Sequence, residues 1–194
     1  TIFMVKSTNS QNKKSRKIYL DYASSANDGE PNAGAIHSFG VEEKDKLEKA
    51  RKIVAGILDV QQSEIIFTSG ATESNNLAIL GLMRNFENPH IVISNIEHAS
   101  VLEVCRYLEK TKQAEVTYVE VGANGVIDPV KIKKVLKKNT VLVSVMYANN
   151  EIGTIQPVKE IAKEIRHYNK INSAKVYFHT DAVQTVGHIP VNVD

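Results

Sequence analysis

The sequence of 194 residues has a single cysteine, Cys105, so no disulfide bond can form within the chain. A chain without disulfides is typical of a reducing compartment, and we expect a cytoplasmic protein. Its apolar runs are too short to cross a membrane, and its first twenty residues lack the apolar core of a signal peptide. The sequence therefore predicts neither a membrane protein nor a secreted one.

The sequence also lacks a large excess of charge of either sign, since its formal net charge is only +2. Such a balance does not predict a nucleic-acid partner. The lysines at 131–138 are interspersed with apolar residues at helical spacing, which is typical of one solvated helix face. No pair of histidines has metal-ligand spacing, so no metal site is predicted. No G-x-G-x-x-G pattern follows a predicted strand, which argues against a dinucleotide-binding domain.

The sequence does have a regular alternation of strand and helix patterns. After a first helix at 47–58, helical periodicity recurs at 72–85, 99–112, 129–138 and 157–169. Segments rich in Val, Ile, Tyr and Phe predict strands at 64–68, 90–94, 115–121, 140–147 and 175–180. This alternation predicts an α/β fold with a mostly parallel sheet flanked by helices. The helix at 72–85 is apolar nearly all round, so we expect it to be buried on the sheet.

The first 35 residues are predicted to form an N-terminal arm and loop, with a short strand at 18–20. From there on, four polar clusters fall where predicted strands end. Because ligands of open α/β sheets bind at the carboxyl ends of the strands, these clusters are the candidate site.

The first cluster is TSGATESNN, at 68–76. A phosphate would be held there by the N–H groups of Ala71 and Thr72, by the Thr72 hydroxyl and by the helix dipole. A plain helix cap made by Ser69 or Thr72 explains the same residues equally well.

The second and third clusters are Glu97-His98 and the stretch from Asn149 to Gly153. His98 could stack on a planar ligand or move a proton, or it could be a histidine satisfied by the neighbouring backbone. Asn149 and Asn150 suit hydrogen bonds to ligand oxygens and suit an Asx-type turn equally. The other five histidines are interpreted as structural.

The fourth cluster contains Asp181 and Gln184, in FHTDAVQTVG at 178–187. A buried carboxylate needs a cation or several hydrogen-bond donors. A protonated pyridine nitrogen is such a cation, and Gln184 could donate to a phenolate oxygen on the same ring. The alternative is that Asp181 is a helix N-cap.

In this order, these pieces resemble the class V aminotransferases, which are pyridoxal-phosphate enzymes, and within them the cysteine desulfurase and selenocysteine lyase group. The motifs that carry the resemblance are YLDYA at 19–23, IHSFG at 36–40, FTSGATESNN at 67–76, EH at 97–98, NNEIGTIQP at 149–157 and HTDAVQTVG at 179–187. The resemblance implies a fold type I pyridoxal-phosphate-dependent transferase. Residues 1–35 would then belong to the small domain, and 36–194 would form an incomplete large domain that binds the cofactor.

The resemblance also implies how the cofactor is held. Ala71 and Thr72 would bind the phosphate of pyridoxal phosphate. Asp181 would pair with the pyridinium nitrogen, and Gln184 would hydrogen-bond the ring oxygen.

The resemblance implies one catalytic residue, His98, which would stack on the ring and transfer protons. Asn150 would be a further cofactor-binding residue, in contact with the ring oxygen and with the substrate carboxylate. The implied reaction converts L-cysteine to L-alanine and leaves the sulfur as an enzyme persulfide for iron–sulfur cluster or thio-cofactor assembly. The implied partners are a small amino-acid substrate, a second copy of the chain in a homodimer and a sulfur-acceptor protein. Selenocysteine lyase, or another class V member, is the alternative.

Three departures from the family pattern stand out. The chain ends before the Schiff-base lysine, the sulfur-accepting loop cysteine and the carboxylate-binding arginine of the family, and Cys105 lies in a helical pattern typical of a core thiol. Only 24–35 joins the first two motifs, where the family has a longer stretch, and Asn32-Ala33 replaces an Asn-Pro pair. We expect this chain to be inactive alone. A non-catalytic half of a split enzyme, or a binding module, is the other interpretation.

Overall fold

The computed structural model describes Asp21 and residues 31–191. These residues form two compact units, one ending at Ile66 and the other spanning Phe67–Val191. The domain boundary predicted at 35/36 stays a prediction, and the predicted strand at 18–20 lies outside the described residues.

The first unit is built around a long helix, α1, Ser38–Leu58. His37 caps its N-terminus, because the Nδ1 atom accepts a hydrogen bond from Gly40 N at 3.1 Å. Gly40 must be a glycine, since a Cβ there would collide with the carbonyl oxygen of Ala35. A 3₁₀ turn, Gln62–Glu64, follows the helix.

The strand predicted at 64–68 is wrong. Residues 65–68 have no regular secondary structure, and the side chains of Ile66 and Phe67 are 72% and 44% exposed. A strand is defined by hydrogen bonds to a neighbour, and no strand of the described residues pairs with this segment. The apolar composition of the segment predicts a strand, but it cannot show whether a neighbouring strand is there to pair with it.

The second unit contains a four-stranded parallel sheet with the order β2-β1-β3-β4. The strands are β1 His90–Ser94, β2 Glu115–Val119, β3 Thr140–Ser144 and β4 Tyr177–His179. The helices are α2 Ala71–Met83, α3 Ala99–Lys110, α4 Pro129–Val135 and α5 Val158–Asn172. The prediction of an α/β fold with a parallel sheet flanked by helices is confirmed.

Each face of the sheet packs on its own pair of helices. Ile91 and Ile93 of β1 join a core cluster with α2 and α3, while Val92 between them joins a second cluster with α4 and α5. Successive strand residues point to opposite faces, so a fully buried strand reads as a continuous apolar run. Cys105 of α3 is fully buried in the first cluster, which confirms its interpretation as a core thiol.

Helix α2 packs on the sheet along one face, which confirms the prediction that it is buried there. Its buried residues, Asn75, Ile79 and Met83, follow one another at intervals of four and form a single stripe. Leu77, on another side, is 53% exposed. Hydrophobic composition predicted burial, but only packing decides which face is covered.

The chain reverses its direction across the sheet between β1 and β3. From β1 it moves outward to β2, then returns past β1 to form β3 and β4. Ligands of such sheets bind at this reversal, beyond the carboxyl ends of the strands. The segments that leave β1 and β3 there carry His98 and Asn149-Asn150.

Within the described residues, no helix is long and apolar enough to span a bilayer.

Candidate active site

The N-terminus of α2 is open. Its N-cap, Gly70, has extended backbone and no side chain to satisfy the helix, and a Cβ placed there would meet no atom within 4 Å. Within the described residues, no hydrogen bond uses the N–H groups of Ala71 or Thr72, which are among the unpaired donors at a helix start. These donors and the helix dipole can bind an anion.

Ser69 does not cap this helix, contrary to one of the two interpretations of the first cluster. Both its N–H and its hydroxyl donate to Glu73 Oε2, each at 2.6 Å. These bonds lower the pKa of the Glu73 carboxyl below its ordinary value, the hydroxyl having the larger effect. The serine is therefore occupied by Glu73, and the front of the helix stays available.

His98 caps α3 with one ring nitrogen. Its Nδ1 atom accepts from Ser100 N at 3.2 Å and lies 2.9 Å from Ser100 Oγ. The residue is exposed, and within the described part of the chain its Nε2 atom has no hydrogen-bond partner. The two interpretations of His98 thus apply to different atoms: the backbone satisfies Nδ1, while Nε2 can act on a ligand.

The two adjacent asparagines after β3 have separate roles. Asn149 is buried, and its Oδ1 atom accepts from the N–H groups of Glu151 and Ile152 at 2.8 and 2.9 Å. These bonds form an Asx-type turn, which is one of the two interpretations of this cluster. Its Nδ2 atom donates to Ile96 O at 2.9 Å, which ties the turn to the segment before His98. Asn150 is exposed, and no hydrogen bond within the described residues uses its side chain.

Asp181 is buried just beyond β4. Its Oδ2 atom accepts from Asn75 Nδ2 at 2.9 Å, and its Oδ1 atom accepts from Val183 N at 3.1 Å. It does not cap a helix, since residues 183–188 form turns. Gln184, exposed on these turns, has no side-chain hydrogen bond within the described residues.

A second buried carboxyl group, Glu97, lies beside the reversal of the sheet. Its Oε1 atom accepts from Met146 N at 2.8 Å and from Ser94 Oγ, and its Oε2 atom accepts from Ser144 Oγ at 3.4 Å. Burial, with a smaller contribution from the charge of Asp181, raises the pKa of Glu97 to about 7. Glu97 therefore joins the segment after β1 to the end of β3.

His179 lies beside this group, because its Nδ1 atom is 2.8 Å from Ser144 Oγ. Burial lowers its pKa, and the charge of Asp181 opposes that effect. His90, fully buried between Thr117 and Thr140 with both ring nitrogens 2.8 Å from their hydroxyls, also has a lowered pKa because of its burial. Both histidines are held by neighbouring hydroxyls, as expected for structural residues.

The structure brings the predicted clusters together. Asn75 of the first cluster contacts Asp181 and Ser100, and the N–H of Tyr147 donates to the backbone oxygen of Asp181 at 2.9 Å. Asp181 and His98 are joined through Asn75 and Ser100, whereas no hydrogen bond within the described residues joins Asn150 or Gln184 to them.

Sequence reasoning missed the roles of Asn75, Ser100 and Glu97. The sequence does contain a signal for Asn75, because this residue shares a helix face with Ile79 and Met83, which follow it at intervals of four. A polar residue in an apolar stripe predicts a buried hydrogen-bonding role. No comparable pattern distinguishes Ser100 or Glu97.

The donors and acceptors of this site fit pyridoxal phosphate. Within the described residues, Asp181 forms no ion pair with lysine or arginine, so a protonated ring nitrogen would supply the missing cation. The open start of α2 suits a phosphate. The described part of the chain has no cluster of three or more His, Cys, Asp or Glu side chains suited to a metal ion.

Comparison with known proteins agrees with this chemistry. The family described as "Aminotransferase class-V" matches residues 12–194. The chain is 45% identical over 195 residues to "Cysteine desulfurase IscS" of Dictyoglomus turgidum, covering 92% of this chain and 48% of that protein. The chain thus spans about half the length of the curated relatives it matches.

Solved structures give the same result. A "NIFS-LIKE PROTEIN" superposes with a TM-score of 0.78 at 41% identity, covering 84% of this chain and 44% of that one. A structure described as "SspA in complex with cysteine" superposes with a TM-score of 0.80 at 36% identity, covering 87% and 47%. With its parallel sheet, its open helix start and its buried aspartate, the chain belongs to the class V aminotransferase family.

Proposed function

We propose that the protein carrying this chain is a pyridoxal-phosphate-dependent cysteine desulfurase. The observation that carries the proposal is the buried Asp181 carboxylate, which two donors orient and which has no cationic partner within the described residues. The names of the relatives support the reaction, and the structure of SspA with bound cysteine supports the substrate.

Four residues would hold the cofactor. The N–H groups of Ala71 and Thr72, with the Thr72 hydroxyl, would bind the phosphate at the start of α2. Asp181 would pair with the protonated ring nitrogen, and Gln184 would donate to the ring oxygen. When bound, pyridoxal phosphate supplies an electron sink for negative charge that develops on the amino-acid substrate.

Two further residues would contact both the cofactor and the substrate. His98 would stack on the ring and move protons at Nε2, because Ser100 already occupies Nδ1. Asn150, exposed on the turn that Asn149 builds, would bind the substrate carboxylate and the ring oxygen.

The proposed reaction breaks the C–S bond of L-cysteine and forms an S–S bond to an enzyme thiol. Cysteine and the thiol give alanine and a persulfide, so atoms and electrons balance. Cys105 is not that thiol, since it is buried and burial raises its pKa to about 12. We assign the thiol, and the lysine that the family uses to anchor the cofactor, to parts of the protein outside this sequence.

The proposal extends to partners and location. We propose a homodimer that passes sulfur to an acceptor protein for iron–sulfur cluster or thio-cofactor assembly. A cytoplasmic location is supported by the single cysteine, which is typical of reducing compartments.

The test is made on the full-length protein, incubated with pyridoxal phosphate and L-cysteine. We expect alanine and persulfide sulfur in equal amounts, and no turnover by residues 1–194 alone. Binding of the cofactor without any alanine would contradict the desulfurase assignment.

The alternatives have their own outcomes. Turnover of L-selenocysteine with little turnover of L-cysteine would identify a selenocysteine lyase. Turnover by the 194-residue chain alone would contradict the assignment of the lysine and thiol to other parts of the protein. A stop codon directly after residue 194 would favour a split enzyme or a binding module.

A further inference from the structure

Asn75 is a polar residue on the buried face of α2. It is 5% exposed, and Ile79 and Met83 continue the same face into the apolar core. A buried amide is costly unless its polar atoms are paired. Its Nδ2 atom donates to Asp181 Oδ2 at 2.9 Å and to Ser100 Oγ at 2.8 Å. These two bonds use both hydrogens of the amide.

The chemistry of the partners fixes the direction of these bonds. A carboxylate oxygen accepts hydrogen bonds, so Asn75 presents its NH₂ group, not its oxygen, to Asp181. The same group donates to Ser100 Oγ, which leaves the Ser100 hydroxyl hydrogen for His98 Nδ1, 2.9 Å away. The N–H of Ser100 also donates to Nδ1, so both contacts of the His98 ring with Ser100 are made at Nδ1, and Nε2 is left to act on a ligand.

We propose that Asn75 and Ser100 are positioning residues that join Asp181 to His98. One amide would then hold both the carboxylate that faces the ring nitrogen and, through Ser100, the imidazole that moves substrate protons. Asn75 is the only side chain of the described residues that donates to Asp181, the other donor being the N–H of Val183. The inference rests on the proposed function, because it assumes that Asp181 and His98 act on the cofactor.

The first test is a double-mutant cycle on the affinity of the full-length protein for pyridoxal phosphate. Asn75→Leu keeps the size of the side chain and removes both donors. Loss of a hydrogen bond to a charged group lowers affinity about tenfold or more. If Asn75 acts through Asp181, Asn75→Leu has no further effect in an Asp181→Ala background.

An equal effect of Asn75→Leu in both backgrounds, or no effect in either, would overturn the proposal. The matched control is Asn85→Leu, just beyond the other end of α2. Asn85 Nδ2 donates to Gly81 O at 2.8 Å, and the residue is exposed. This substitution should leave the affinity unchanged.

The second test needs no cofactor and uses the side-chain amide signals of Asn75 in ¹⁵N–¹H NMR spectra of the full-length apoprotein. Asp181→Ala should shift one of the two amide hydrogens and speed its exchange with solvent, and Ser100→Ala should do the same to the other. Ser100→Thr keeps the hydroxyl and should retain the original signal. Amide hydrogens that respond to neither substitution would sink the proposal.

The two tests separate the proposal from the proposed function. A protein that binds no pyridoxal phosphate contradicts the function, and the NMR measurement then decides the positioning role alone. A protein that binds the cofactor but shows additive substitutions contradicts only the positioning role.

Discussion

Glu97 is a carboxyl group that the fold removes from water. It is 4% exposed, and burial raises its pKa to about 7 from an ordinary value of 4.5. In an unfolded chain it would ionise near its ordinary pKa, so between the two values the folded state binds more protons. Its contribution to stability is therefore complete below pH 4.5 and is lost as the pH rises through about 7.

We predict that Glu97→Gln removes this pH dependence, because the amide keeps the shape of the side chain without its charge. The free energy of unfolding of the variant relative to the wild type should rise by about 3 kcal/mol between pH 5 and pH 8, at about 1.4 kcal/mol per pKa unit. Urea denaturation at the two pH values measures the difference. Glu103→Gln, at an exposed position paired with Arg106, is the control and should show almost none. A constant difference for Glu97→Gln would contradict the prediction.

At the level of elements, the turn after β3 is held by a buried residue, Asn149, and it places the next residue, Asn150, at the surface. Asn149 fixes the turn with both ends of its amide, and Ala148 and Ile155 form an antiparallel bridge beneath it. Gln156, 2% exposed, extends the anchoring, because its Oε1 atom accepts from Ile127 N at 2.8 Å. The turn can therefore hold Asn150 still in front of a ligand.

This arrangement predicts opposite effects for the two neighbouring asparagines. Asn149→Ala loses four hydrogen bonds, one of them to the sulfur of Met146, and removes the donor to the half-buried oxygen of Ile96. It should lower the free energy of unfolding by about 2–3 kcal/mol. Asn150→Ala should change stability by less than about 0.5 kcal/mol, as exposed substitutions do, yet lower kcat/KM for L-cysteine at least about tenfold. Denaturation and steady-state kinetics on the full-length protein measure both. Equal stability losses would refute this division of roles.

How far the sequence predicts an element depends on whether its signal is local. The start of α4 is local, since Asp128 accepts from Val130 N at 2.9 Å just before Pro129, and its position is predicted correctly. The segment at 64–68 depends on whether another strand pairs with it, and the strand predicted there is wrong. The burial of α2 on the sheet is predicted correctly, but which of its faces is covered depends on packing. The positions of polar clusters at strand ends are local as well, whereas the hydrogen bonds between them are not.

At the scale of the whole molecule, the alternation of patterns predicts a parallel sheet but not the order of its strands. That order places β1 and β3 in the centre, and it sets which clusters meet. The link from Asn75 to Asp181 crosses from α2 to the segment after β4, a relation that no spacing in the sequence encodes. The candidate residues could be predicted one by one, and their network required the fold.

Strand order also predicts which strands of the sheet unfold locally least often. Strands β1 and β3 have partners on both sides, and Val92 and Val143 within them are fully buried. Strands β2 and β4 lie at the edges of the described sheet, and β4 has only three residues. In native-state hydrogen exchange, we expect the slowest amides of the sheet in β1 and β3. Slower exchange in β4 than in β1 would contradict this order.

The bond between Asn75 and Asp181 has a consequence for how the protein folds. It joins residues 106 positions apart, so it can form only after all the intervening strands and crossovers are in place. The local helices form long before such a contact. The candidate site should therefore be among the last parts to assemble during refolding, and recovery of ligand binding should lag behind recovery of helical circular dichroism. A partly folded chain would then be unable to capture the ligand, whatever its helix content.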